Sequence, residues 1–390
     1  MNEVYKQVCP GLYFVEYDDF DFDKAAEWAN KRFFPEGPFC SAVRKGRYAG
    51  RNMDILSEFK AAVIMLMKSS CARFSSLNTS EISLFPAIQD AIESQERKDV
   101  YYKLPQMTYD GINEKGVTAI SLMTSNGNAS EDKSKWGGRE WGKSAAFTKP
   151  DALKTYSTTL LVRYVLDNAA NVDEAIELIK QVNWFDPDRF TWRNHAGALK
   201  WLISDPKKSA VVEFIDNEIK ILLTDDVNRP SLRTLAANFS QYLMEKGIVQ
   251  YDATGYERFD LMCDLYKNVD DSIDGIQSVL RSVMMSEKHK RNISDKYFFA
   301  TEYMWDESPT GRHFNAEEIY QGNARHDPDF IKIVELEKER HYNKSLRPKN
   351  YRTHVTVYTT VYDMAEKKLW ILLNEGVSDS KWYEFEFLNK

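Results

Sequence analysis

Apolar and polar positions along the chain change rhythm several times, and each change marks an element. Residues 12–15 predict a strand and residues 23–32 a short amphipathic helix. Phe39, Ala42 and Val43 then lead through the polar turn Arg44-Lys45-Gly46-Arg47 into a second arm ending Gly50-Arg51-Asn52-Met53-Asp54, the pattern of a β-hairpin. Residues 58–67 contain the longest apolar run, 61–67, and predict a buried strand, while 80–97 carry helical spacing with Ser80 as the cap. Asp110-Gly111-Ile112-Asn113-Glu114-Lys115-Gly116 is a turn that feeds an apolar strand ending at Met123, and Asn113 is expected to serve that turn. Residues 124–150 form a long polar loop with Trp136 and Trp141, the composition of a lid over a site.

Helical periodicity returns at 155–168 and 171–181, where Asp173 and Glu174 suit the first turn of a helix. Arg163 and Glu174 are expected to be surface charges. Between 198 and 238 the period falls to two, predicting strands at 199–204, 209–215, 218–223 and 232–238. A helix is expected from Tyr256 through Cys263, with Cys263 in the core, and strands at 354–363, 368–373 and 382–387 close the chain.

Composition narrows the function classes. At 390 residues and 43% hydrophobic, the chain can bury one large core or two modest ones. A net charge of -7 offers no basic footprint, which argues against a nucleic-acid partner. Cys9, Cys40, Cys71 and Cys263 lie far apart without a C-x-x-C pair, arguing against a zinc ribbon and a disulfide scaffold. The spacing of His313, His326 and His341 has no ligand pattern, so neither a metal nor a cofactor is expected. The run 61–67 is far short of the roughly 20 residues that span a bilayer, so no membrane insertion is expected. Residues 1–39 lack the basic start and apolar centre of a secretory signal. Cytoplasm is the expected compartment, with a secreted or periplasmic location if a signal lies upstream; a homo-oligomer is compatible with everything above.

The candidate chemistry sits on the hairpin. It brings the Cys40 thiol at one end to Arg51 and Asp54 at the other, and a guanidinium beside a sulfur favours thiolate. No histidine base lies nearby in sequence. A chain cut before Cys40 would supply another base, its own α-amino group, with a reference pKa of about 7.7–8.0.

Cys40 followed by Gly50-Arg51-Asn52-Met53-Asp54 resembles the start of a mature N-terminal-nucleophile hydrolase of the choloylglycine hydrolase and penicillin V acylase family, the linear-amide C–N hydrolases. Further motifs follow in the family's order: the Asn-Glu-Lys-Gly turn, the ribbon Trp201-Leu202-Ile203-Ser204-Asp205 and Ser209-Ala210-Val211-Val212-Glu213-Phe214, then Leu235-Ala236-Ala237-Asn238-Phe239, then Arg258. The resemblance covers roughly residues 39–285 and 351–387. It implies an α+β fold, the four-layer αββα sandwich of two packed antiparallel sheets with helices outside.

The same resemblance implies roles. Cys40 would be the nucleophile, with its freed amine as general base held by Asp54. Asn238 and the Met123 backbone N–H would stabilise the oxyanion, and Arg51 and Arg258 would hold thiolate and substrate. Methionine departs from the residues common at the Met123 position, so its side chain is at most substrate-facing. Residues 1–39 would be a propeptide or else the retained first strand and helix, 40–390 the hydrolase domain, and about 286–350 a peripheral insertion. The expected partner is a small N-acyl amide: a bile-salt conjugate, penicillin V, an N-acyl amino acid or a similar compound. An acyltransferase, or an uncleaved and silent homologue, would share these motifs; a papain-like site at Cys71 or Cys263 lacks the flanking residues.

Overall fold

The computed structural model describes residues 5–18, 20–29, 39–56, 61–68, 70, 72–82, 104–124, 131–132, 146–185, 191–192, 195–196, 198–248, 255–284, 327–329, 331–332, 354–373 and 381–387. The chain opens with strands β1 (Tyr5–Cys9) and β2 (Leu12–Tyr17), helix α1 (Phe22–Ala29), and the hairpin β3 (Phe39–Lys45) and β4 (Tyr48–Leu56). Strands β5 (Ala62–Met67), β6 (Ser76–Glu81), β7 (Asp110–Asn113), β8 (Thr118–Thr124) and β9 (Thr155–Ser157) follow. Helices α2 (Leu161–Asn168) and α3 (Val172–Ile179) precede the short β10 (Asn183–Phe185), β11 (Thr191–Trp192) and β12 (His195–Ala196). A ribbon of β13 (Ala198–Ser204), β14 (Ser209–Ile215) and β15 (Glu218–Thr224) leads to β16 (Leu235–Ala236). Helices α4 (Gln241–Glu245), α5 (Tyr256–Asn268) and α6 (Ile273–Val283) then precede β17 (His354–Asp363), β18 (Lys368–Leu373) and β19 (Trp382–Glu386).

Two sheets carry the fold. The larger has nine strands in the order β1-β2-β5-β6-β7-β8-β13-β14-β15, the smaller six in the order β16-β3-β4-β17-β18-β19. Period-two alternation decides what each face touches. Ala62, Ile64 and Leu66 of β5 join Ile120, Met53 and Tyr358 in the core between the sheets. Val63, Met65 and Met67 point the other way, into a cluster with Tyr13 and Val15. A strand buried on both faces reads as a continuous apolar run, which is why 61–67 shows no alternation. Helices α2 and α3 bury Leu166 and Ile176 against Trp201 and Phe214 on the outer face of the larger sheet. Helices α5 and α6 bury Met262 and Leu280 against Val43 and Val361 on the outer face of the smaller one. Helix, sheet, sheet, helix: the four expected layers are present.

Several expectations change. The larger sheet is mixed, because β2 pairs with β5 in parallel, from Leu12 opposite Ala62 to Tyr17 opposite Met67. Parallel partners need a crossover; here it passes through α1 and the whole β3–β4 hairpin in the other sheet. Ser80 caps no helix: it lies inside β6 and donates to the Met107 carbonyl at 2.7 Å, and residues 83–97 are outside the described residues. Arg163 is not a surface charge. It is fully buried, donating to the Asp167 carboxylate one helical turn on and to Ser76 Oγ at 2.6 Å, so a charge that cannot reach water is matched within the fold. Glu174 stays at the surface, paired with Arg73. Cys263 is partly buried beside the α5–α6 cluster. Cys71, both lid tryptophans, and nearly all of 286–350 lie outside the described residues.

Asn113 does hold its turn. Its Oδ1 accepts from the backbone of Lys115 and Val117, both at 3.0 Å, and its Nδ2 donates to the Leu166 and Ala169 carbonyls at 3.0 and 2.7 Å. The turn is thereby tied to the end of α2. In Asn113→Ala these buried partners lose their hydrogen bonds, an expected loss of about 1–3 kcal/mol. Urea unfolding checks it; an unshifted midpoint contradicts it.

Candidate active site

The hairpin is built by its register. Gly46, at φ 54°, takes the first central position of the turn, a left-handed conformation that costs glycine no Cβ strain. The pairing that follows sets Cys40 opposite Met53, Ala42 opposite Arg51, and Phe39 opposite Asp54. Gly50 has its own reason: a Cβ there would come within 2.5 Å of the Thr360 carbonyl and 2.8 Å of Leu280 Cδ1, where α6 crosses the sheet. On the other side of β3, Leu235 and Ala236 of β16 pair with Val43 and Ala42. Continuing that register brings Asn238 level with Cys40.

The contacts follow from this layout. Arg51 Nη2 donates to Cys40 Sγ and, at 2.9 Å, to Met53 Sδ. The Cys40 backbone N–H donates to Asn238 Oδ1 at 3.0 Å. Arg258, projecting from α5, uses one arm on Asp54 Oδ2 and the other on Asn238 Oδ1 at 2.6 Å. Asp54 Oδ1 also accepts from Thr356 Oγ1 at 2.5 Å, the residue opposite it on β17. Asn238 Nδ2 donates to the Met123 carbonyl at 2.7 Å, joining the end of β8 in the larger sheet to the smaller sheet.

All six residues singled out from the sequence therefore meet: Cys40, Arg51, Asp54, Asn238 and Arg258 through side chains, Met123 through its backbone. Two details differ from expectation. The Cys40 N–H goes to Asn238 rather than to Asp54, whose oxygens are held by Arg258 and Thr356. The Met123 side chain packs with the cluster beneath α2 and α3, because alternation along β8 turns Ala119 and Met123 to the helix side while Ile120 and Leu122 face the core; it does not face the sulfur.

Cys40, Arg51, Asp54 and Asn238 are fully buried and Arg258 is nearly so. Burial pushes the Cys40 thiol up to about 11; Arg51 and Arg258 pull it down, the Asp54 charge adds to the rise, and the Asp54 backbone N–H opposes it. Arg51 is itself held above its ordinary range, since the facing Cys40 and Asp110 outweigh the burial that acts against its charge. The sulfur, as placed, is a buried thiol with the groups that could ionise it already in position.

Behind Asn238 lies a second buried network that sequence reading missed. Lys200 Nζ donates to the Phe239 carbonyl at 2.5 Å and to Gln241 Oε1 at 2.8 Å. Glu213, opposite Lys200 in the β13–β14 ladder, accepts from Ser240 Oγ and from the Gln241 N–H at 2.7 Å. Residues 239–241 are thus fixed immediately after Asn238. Thr356 and Asp110 were missed as well. Asp110 was visible in the Asp-Gly-Ile-Asn-Glu-Lys-Gly motif, but only as a turn residue. Among the described residues no cluster of His, Cys, Asp and Glu could hold a metal, and no helix is long and apolar enough to cross a membrane.

Comparison with known proteins agrees with the resemblance. The profile of the choloylglycine hydrolase family of linear amide C–N hydrolases matches residues 41–259, more than half of the chain. Similar solved structures include penicillin V acylase from Agrobacterium tumefaciens, 15% identical over 89% of this chain and 86% of that one, TM-score 0.38. Two variants of the conjugated bile acid hydrolase from Clostridium perfringens are 13% and 14% identical, each over 89% of this chain and 92% of the other, with TM-scores of 0.41 and 0.42. No curated protein matches. With the profile running from Ser41, one residue past Cys40, through Arg258 and over more than half of the chain, the chain belongs to the choloylglycine hydrolase family of linear amide C–N hydrolases.

Proposed function

We propose that the protein is an N-terminal-cysteine amidase, matured by cleavage before Cys40, that hydrolyses the linear, non-peptide amide of a small N-acyl substrate. One observation carries the reading: the backbone nitrogen and the sulfur of a single residue are each engaged, by Asn238 and Arg51 respectively, and Arg258 ties Asn238 to Asp54. In maturation, Sγ attacks the Phe39 carbonyl carbon, the Phe39–Cys40 C–N bond breaks as the nitrogen takes a proton, and water hydrolyses the resulting thioester. In turnover, the freed amine accepts the thiol proton and the sulfur attacks the substrate carbonyl. The amine side leaves with a proton, and water releases the acid and regenerates the thiol. Asn238 Nδ2 would turn from the Met123 carbonyl to the oxyanion.

The N-terminal segment qualifies the propeptide reading. Strands β1 and β2 are part of the nine-stranded sheet, and Tyr13, Val15 and Tyr17 are buried in it. Cleavage before Cys40 would nick the chain, and residues 1–39 would remain bound as a separate piece rather than depart.

Full burial of Cys40 is equally what a silent, uncleaved homologue would have. Intact mass under denaturing conditions, together with a panel of acyl amides ranging from bile-salt conjugates to penicillin V, separates the two. A cleaved chain that hydrolyses one of these supports the amidase; an intact chain inert towards all of them supports the homologue. The Cys40 ionisation gives a further test. A thiol held at about 11 is protonated at neutral pH, so iodoacetamide should label Cys40 of the uncleaved chain, read at the peptide that carries it, slowly and faster only as pH climbs towards that value. Rapid labelling at pH 7 would contradict this.

A further inference from the structure

Arg51 has more partners than a role toward the sulfur alone requires. A guanidinium carries five N–H groups on three nitrogens. Nε donates to the Asn52 carbonyl at 3.4 Å, Nη1 to the Tyr109 carbonyl at 3.3 Å, and Nη2 to Cys40 Sγ and Met53 Sδ. Nη1 also faces Asp110 Oδ1 at 3.6 Å, with both side chains fully buried. All three nitrogens are committed to protein atoms, so the fork is directed at the nucleophile, and a substrate contact would have to displace one of these partners.

Asp110 is the part of this arrangement without an assigned task. It comes from β7 in the larger sheet, while its partners come from the smaller one. Tyr358 donates to its Oδ1 at 2.7 Å, and Thr360 and Tyr362 donate to its Oδ2 at 2.7 and 2.5 Å. Thr360 lies opposite Arg51 in the β4–β17 ladder and Tyr358 opposite Met53, so the clasp and the guanidinium stand on one face of the smaller sheet, with the carboxylate reaching across the core to both. A charge pair in an apolar sandwich interior is a poor source of stability compared with apolar packing, because removing both ions from water is costly.

We propose that Asp110 is a positioning residue for the nucleophile: clasped by Tyr358, Thr360 and Tyr362, it fixes the Arg51 guanidinium so that Nη2 stays on the Cys40 sulfur. The inference rests on the amidase reading above. Asp110 acts through Arg51, which lies between it and the sulfur. The ionisable groups facing Cys40 are Arg51, Asp54, Arg258 and Tyr109, and those facing Arg51 are Cys40, Asp110, Tyr358, Tyr362 and Tyr109.

The test follows the pH dependence of Cys40 alkylation by iodoacetamide in mature protein, alongside kcat and KM on whichever acyl amide the panel identifies. Asp110→Asn removes the charge and keeps the shape. If Asp110 positions Arg51, the alkylation midpoint rises by about one pH unit as the guanidinium swings off the sulfur, and kcat falls at least tenfold with KM within about twofold. A midpoint that stays put overturns the proposal. So does one that falls, as it would if Asp110 only offset the Arg51 charge through space. Tyr358→Phe keeps the ring packing and removes one clasp, so it carries the same test should Asp110→Asn fail to fold; a rise in midpoint is expected and an unchanged one overturns the proposal. Wild-type protein separates this from the parent reading: if alkylating Cys40 leaves its activity intact, the amidase assignment falls and this inference with it.

Discussion

In Cys40→Ala the chain is expected to stay in one piece and to lose hydrolysis by about 10⁴-fold or more, the scale on which nucleophile deletions act. Both losses follow from one atom, because the sulfur that attacks substrate is also the one that attacks the Phe39–Cys40 bond. The fold should survive. Sγ contacts the Arg51 guanidinium and Met53 Sδ, and the hairpin register rests on backbone pairing. Cleavage proceeding normally in this variant, read on a denaturing gel, would show that maturation has another agent. Retained hydrolysis would remove the thiol from the chemistry.

Arg258→Met is expected to cost more stability than any other single change at the site. The Arg258 guanidinium is the charge partner of Asp54, which also accepts from Thr356, and it donates to Asn238 Oδ1 beside the Cys40 N–H. Breaking one half of a buried ion pair typically costs about 3–5 kcal/mol, because the surviving charge stays desolvated. With Asn238 no longer held from α5, the rate should also fall on the order of a hundredfold. Adding Asp54→Asn removes the stranded carboxylate, so the double variant should regain stability without regaining activity. Chemical denaturation and steady-state kinetics on the singles and the double check this; a single variant as stable as wild type would mean that the pair contributes nothing.

The parts of this site that could be read from sequence are those where local pattern and chemistry coincide. Cys40, Arg51 and Asp54 lie on two arms of one hairpin, whose pairing brings them to one end, Cys40 and Arg51 on one face and Asp54 on the other. Asn238 was reachable because an alternating ribbon ends at it and its motif fits the family, although only the β16–β3 register explains why it faces Cys40. Arg163 was misread because helical spacing, which places Asp167 one turn on, cannot reveal that β6 lies over that face and brings Ser76, 87 residues away, to the guanidinium. The β2–β5 pairing was hidden by the hairpin that intervenes in another sheet. Asp110 was read as a turn residue since two of its hydroxyl partners, Thr360 and Tyr362, lie 250 and 252 positions further on.

The central claim is that the nucleophile and its base belong to the same residue, and the sequence of the free amino terminus tests this most directly. Edman degradation of active protein should return two sequences, that of the retained 1–39 piece and Cys40-Ser41-Ala42, with the two pieces co-eluting in size exclusion and separating only on denaturation. Activity in a chain that begins at Ser41 or later, or in one still continuous through Phe39 and Cys40, would contradict it.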